Sequence, residues 1–120
     1  MSFYSRYCAP CRRELPTLVR VLDRVNRDLP PARNVLGLVI AVDTPPEAQF
    51  HREIGPRLRW LLDAGGKARA AFDPRTYPCT FLVDSDGRVR HINRGYGPGY
   101  ETRVEGWLRS MLLPARKPGH

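Results

Sequence analysis

Val35 to Val42 is a run of eight residues, all apolar except Gly37, and it is apolar at odd and even positions alike. Strand side chains alternate between faces, so such a run needs cover above and below: the pattern of a central strand in a parallel sheet wrapped by helices. This sets the class as α/β. The same run is far short of the roughly 20 apolar residues that cross a bilayer, so a membrane anchor is not encoded in this chain. With 120 residues, the chain has the size of a single domain.

The segments around that strand supply its helices. Leu15, Leu18, Val19, Leu22, Val25 and Leu29 recur at steps of three and four with arginines and aspartate between them, an amphipathic helix closed by Pro30 and Pro31. Pro16 lies inside the stripe and is expected to bend the helix near its second turn. Thr44 is expected to cap a helix beginning at Pro45 and Pro46 and running through Ile54. Leu58 to Leu62 reads as a brief extended segment and Lys67 to Phe72 as a short helix. Thr80 to Asp84 and Arg88 to Asn93 read as two antiparallel strands joined at Asp86–Gly87, the second at a sheet edge because of its charge. Val104, Trp107, Leu108, Met111 and Leu112 form a last helical stripe before Pro114, which makes residues 1–113 one domain and 114–120 a frayed tail.

Twenty Lys and Arg against twelve Asp and Glu leave a net charge of +8. Only Lys67 and Lys117 are lysines, and the arginines are scattered from Arg6 to Arg116 without a block and without interleaved aromatics. That pattern is a solvated surface and not a nucleic-acid platform, so no nucleic-acid partner is expected.

Three cysteines cannot all pair within one chain; Cys8 and Cys11 form a C-x-x-C at the head of the first helix, and Cys79 stands far downstream. A dithiol at this spacing can close a small disulfide ring. A sulfur at a helix N-terminus has its thiolate favoured by free N–H groups and by the macrodipole. Cys8 is so placed, with Arg6, Arg12 and Arg13 nearby. Cys11, one turn further on, should be more buried, which suits Cys8 to attack and Cys11 to resolve. Two alternatives differ in kind. A zinc site would need Cys79 and either His51 or His91 as further ligands, although no second close pair is present. Haem attachment fails because Arg12 stands where C-x-x-C-H requires histidine.

Phe3-Tyr4-Ser5-Arg6-Tyr7-Cys8-Ala9-Pro10-Cys11-Arg12-Arg13-Glu14-Leu15-Pro16 resembles the active-site segment of thioredoxin-like proteins of the TlpA/ResA type, F-W-A-x-W-C-x-P-C-x-x-E-x-P. Tyr77-Pro78-Cys79-Thr80-Phe81-Leu82-Val83-Asp84 and the Asp86-Gly87 turn resemble the same family's P-T-T-F-L-I-D-x-x-G segment. The resemblance implies a thioredoxin-like fold, a mixed central sheet flanked by helices, and a thiol-disulfide oxidoreductase acting on protein disulfides, with cytochrome c maturation as one family role. It implies a cis-proline at Pro78, substrate pairing at the backbone of Tyr77, and Glu14 as a proton acceptor near the thiols. A dithiol electron-donor protein is implied as partner, with no bound cofactor and a periplasmic or envelope location. Two positions depart from the family pattern: Tyr7 replaces a tryptophan, and Cys79 replaces a threonine. The family's active-site strand is central, and only Met1 to Ser5 remain for it here, so that strand is expected to be truncated and an N-terminal portion to be missing. A redox-inactive interaction module is the alternative function that these departures suggest.

Overall fold

The computed structural model describes residues 1–112; the expected tail lies outside the described residues. Five strands form one sheet in the order β3-β2-β1-β4-β5. They are β1 (Ser2–Tyr4), β2 (Leu38–Ala41), β3 (Arg59–Leu62), β4 (Cys79–Val83) and β5 (Val89–Arg94). The helices are α1 (Ala9–Arg27), α2 (Ala48–Ile54), α3 (Lys67–Phe72) and α4 (Tyr100–Leu112). β1 lies parallel to β2, which lies parallel to β3, whereas β4 runs antiparallel to both β1 and β5. The sheet is therefore mixed, and β5 is one edge, as its charge predicts, with β3 the other.

β1 holds the centre with three residues, all of them buried. Ser2, Phe3 and Tyr4 pair with Val39, Ile40 and Ala41 on one side, and Ser2 and Phe3 with Thr80 and Cys79 on the other. The Phe81 N–H donates to the Met1 carbonyl at 2.7 Å, which carries the β1–β4 pairing one residue further.

The Val35–Val42 run forms an interior strand, paired in parallel with β1 and β3 as its pattern requires, but the strand is shorter than expected, Leu38–Ala41. Val35 leaves the ladder because the Asn26 side chain takes both of its backbone groups, accepting from the Val35 N–H at 2.6 Å and donating to its carbonyl at 3.1 Å. Gly37 then passes under α1. A Cβ there would come within 2.7 Å of Leu22 Cδ1 and 2.6 Å of Leu58 Cδ2, so glycine is what permits the close approach.

The helix after β2 also starts later than expected. Thr44 is no cap: its hydroxyl is buried without a partner. Thr44 and Pro45 each precede a proline, which disfavours helical backbone at both, so the first helical bond runs from His51 N–H to the Glu47 carbonyl. Pro16 stands inside α1 without ending it.

Alternation along the strands sorts two cores. Tyr4, Val39, Ala41 and Leu82 meet Leu15, Leu18, Val21, Leu22 and Val25 of α1 and Val104 and Leu108 of α4 on one face. Phe3, Ile40, Cys79 and Phe81 meet Ala68 and Phe72 of α3 on the other. Between α1 and α4 runs an ion-pair ladder. Arg24 contacts Glu101 and Glu105 at 2.6 Å, and Arg109 meets Glu105 and Asp28 at 3.0 and 2.8 Å.

Candidate functional site

β1 ends at Tyr4 and α1 begins at Ala9, so only a tight turn separates the central strand from the helix. The Cys8 N–H closes that turn on the Ser5 carbonyl at 3.0 Å, while the Ser5 hydroxyl donates to Asp43 at 2.5 Å. Cys8 is extended, with φ −100° and ψ 103°, and is the N-cap of α1; its Sγ accepts from the Cys11 N–H at 3.2 Å. Pro10 falls in the first helical turn, where a missing N–H costs nothing.

Cys8 and Cys11 are joined as a disulfide, with Cα atoms 5.3 Å apart. Cys8 is half-exposed, Cys11 is buried, and Tyr7 beside them is 78% exposed. Cys8 thus caps the positive end of a helix of 19 residues as the more exposed member of the pair, and Cys11 lies buried inside the first turn.

Pro78 precedes β4 directly. Because β4 runs antiparallel to β1, Pro78 and Cys8 come to the same end of the sheet. The Tyr77–Pro78 peptide bond is cis. Pro78 is buried, its carbonyl accepting from the Gly95 N–H at 2.7 Å, and Tyr77 is half-buried.

Glu14, one turn after Cys11, is 1% exposed. Ser2 Oγ of β1 donates to its Oε1 at 2.7 Å and Thr80 Oγ1 of β4 to its Oε2 at 2.5 Å. Burial raises its pKa above the ordinary carboxylate value, and the neighbouring hydroxyls of Ser2, Thr80 and Tyr100 oppose that rise. Ser2 and Thr80 escaped sequence reasoning because they lie 12 and 66 residues from Glu14 and hold it only through strand pairing. The one available signal was a polar residue on the helix-facing side of each strand.

Cys79 and Thr80 are neighbours in sequence and point to opposite faces. Thr80 reaches Glu14, whereas Cys79, fully buried, packs with Phe3, Ile40 and Phe81 on the side away from α1. Burial pushes the Cys79 thiol up. The sheet therefore separates it from the Cys8–Cys11 pair. The ligand set of the zinc alternative is likewise scattered: the ring of His51 lies 5.7 Å from that of Trp60, and His91 stacks on Trp107 at 4.6 Å. Among the described residues no three His, Cys, Asp or Glu are grouped to hold a metal ion.

Known proteins resemble this chain in sequence and in fold. Residues 1–92 match the model of the AhpC/TSA family. The thiol-disulfide oxidoreductase ResA of Bacillus thuringiensis is 24% identical over 116 residues, covering 92% of this chain and 61% of its own length. The thiol:disulfide interchange protein HelX of Rhodobacter capsulatus is 35% identical over 100 residues, covering 82% of this chain and 51% of its own length. The chain thus spans between half and two thirds of the relatives it matches. Among solved structures, a Chlorobium tepidum protein designated the thiol:disulfide interchange protein DsbE superposes with a TM-score of 0.74 at 18% identity, over 92% of this chain and 77% of that one, a likeness of fold. A disulfide across the head of α1, a cis-proline at the same sheet end and a family match over residues 1–92 lead to one assignment: the chain belongs to the AhpC/TSA family and is a thioredoxin-like protein of the TlpA/ResA type.

Proposed function

We propose that this chain is a thiol-disulfide oxidoreductase whose Cys8–Cys11 pair exchanges with disulfides in protein substrates. The observation that carries the reading is the half-exposed N-cap sulfur of Cys8 with a buried partner three residues on.

In the reducing direction the Cys8 thiolate attacks one sulfur of the substrate disulfide. A Cys8–substrate bond forms, the substrate S–S bond breaks, and the released sulfur leaves as a thiolate that takes a proton from water. Cys11 then loses its proton, attacks Cys8 Sγ and expels the first substrate sulfur. Two electrons have passed to the substrate, and the disulfide of the present structure is the product. A dithiol donor protein returns the electrons by the reverse steps, so the cycle needs no bound cofactor. Glu14 is the acceptor for the Cys11 proton, and Tyr77 and Pro78 present the extended substrate backbone. We place the domain, residues 1–113, outside the cytoplasm in the periplasm or envelope, with cytochrome c maturation as one role that family membership suggests.

Reduction of a protein disulfide such as insulin, with dithiothreitol recycling the enzyme, tests this. Cys8→Ser is expected to abolish turnover, and Cys11→Ser to accumulate a mixed disulfide on Cys8 that mass spectrometry identifies. If the unaltered protein is no faster than Cys8→Ser and its Cys8 alkylates across pH like a free thiol, the chain is a redox-inactive module and the proposal fails.

A further inference from the structure

Tyr100 opens α4, delivered there by Gly99 at φ +85° and by its own N–H bond to the Gly97 carbonyl at 3.1 Å. Its side chain turns inward and is 1% exposed, and its hydroxyl is buried with no partner. A phenol deprived of both water and a partner costs about 1–3 kcal/mol, so a second arrangement in which it bonds is favoured wherever an acceptor is at hand. The acceptor at hand is the Glu14 carboxyl, held by Ser2 and Thr80, whose charged form the neighbouring Tyr100 hydroxyl favours.

We propose that Tyr100 is the positioning residue for Glu14: when the buried carboxyl gives up its proton, the phenol turns its O–H onto the carboxylate as a third donor. This rests on the reading of Glu14 as acceptor for the Cys11 proton. Ser2 of β1 and Thr80 of β4 hold one oxygen each in this structure, in which the Tyr100 hydroxyl makes no full bond. Tyr100 thereby sets how readily Glu14 takes up and releases the proton.

The other titratable groups around the carboxyl are few. Cys11 lies on the same helix, the Met1 amino group at the start of β1 is bonded to the Phe81 carbonyl at 2.8 Å, and Cys79 of β4 lies across the sheet. Tyr96 packs edge-on to Tyr100 at 5.0 Å, but its hydroxyl is engaged with Thr17 at 2.8 Å. Tyr4 of β1 also has a buried hydroxyl without a partner, but its ring packs on Phe50 and Trp60, which leaves Tyr100 as the donor to answer a change of charge on Glu14.

The test is a carbon NMR titration of the Glu14 side-chain carboxyl in the oxidised protein, unaltered and as Tyr100→Phe, alongside the pH profile of insulin reduction. The proposal expects the Glu14 midpoint to rise by about one pH unit in Tyr100→Phe, the tenfold effect of losing one charge-assisted bond. The rate profile should move with it, and Glu14→Gln should erase the difference between Tyr and Phe at position 100. An unmoved midpoint overturns the proposal, whether or not the melting temperature falls. A moved midpoint with an unmoved rate profile keeps Tyr100 tied to Glu14 and instead sinks the proton role of Glu14.

Discussion

Two consecutive residues of β4 live in opposite chemical worlds. Thr80 faces α1 and helps hold a buried carboxyl; Cys79 faces α3 among Phe3, Ile40 and Phe81. One face has a buried carboxyl at its centre, on the helix that carries the dithiol, and the other is an aromatic cluster, with ring pairs 5.2 to 6.0 Å apart. The difference teaches that the pleat itself keeps a third thiol from the active pair: a shift of one residue in register would exchange the two side chains.

The aromatic face should be the costlier to damage. Phe81→Ala removes a ring that packs on Phe3 and Phe72 and should lower stability by about 3–5 kcal/mol in urea denaturation. A loss below 1 kcal/mol would mean that the second core is not what closes that side.

Next is Thr80→Val, which strips one donor from Glu14 and should cost about 1–3 kcal/mol at neutral pH. The sign with pH sharpens the comparison. Because the folded pKa of Glu14 is raised, the native state holds its proton where the unfolded chain has lost it. Stability therefore falls as pH climbs from the ordinary carboxylate value to the raised one, then levels off. Removing a donor to the carboxylate raises the folded pKa further. The gap between variant and parent should widen with rising pH; a gap that is constant from acid to neutral pH would show Glu14 protonated throughout.

Cys79→Ala should have the smallest effect, a loss of about 1 kcal/mol with disulfide exchange unchanged. Peptide mapping of the oxidised parent should show Cys8 joined to Cys11 alone. A Cys8–Cys79 crosslink would break the separation outright.

The local patterns carried much of the architecture. The α1 and α4 stripes, the helix at Lys67–Phe72 and the β4–β5 hairpin are written in near-neighbour spacing, and each is found where its periodicity lies. Val35 and Thr44 misled for a shared reason: hydrophobic pattern and capping preference describe isolated segments. The Asn26 side chain and the paired prolines at 45 and 46 redirected these two. At the site, the C-x-x-C was plain because its partners are three residues apart. The setting of Glu14 was hidden, since Ser2 and Thr80 reach it only once β1, β4 and α1 have been brought together.

The covalent link between Cys8 and Cys11 spans only three positions along the chain. Crosslinks restrain the unfolded ensemble more as the loop they close grows, so this one contributes less to holding the protein together than a bridge between distant strands would. Cutting the bond therefore takes little from the stability of the fold, which suits it to being a reagent and not a staple.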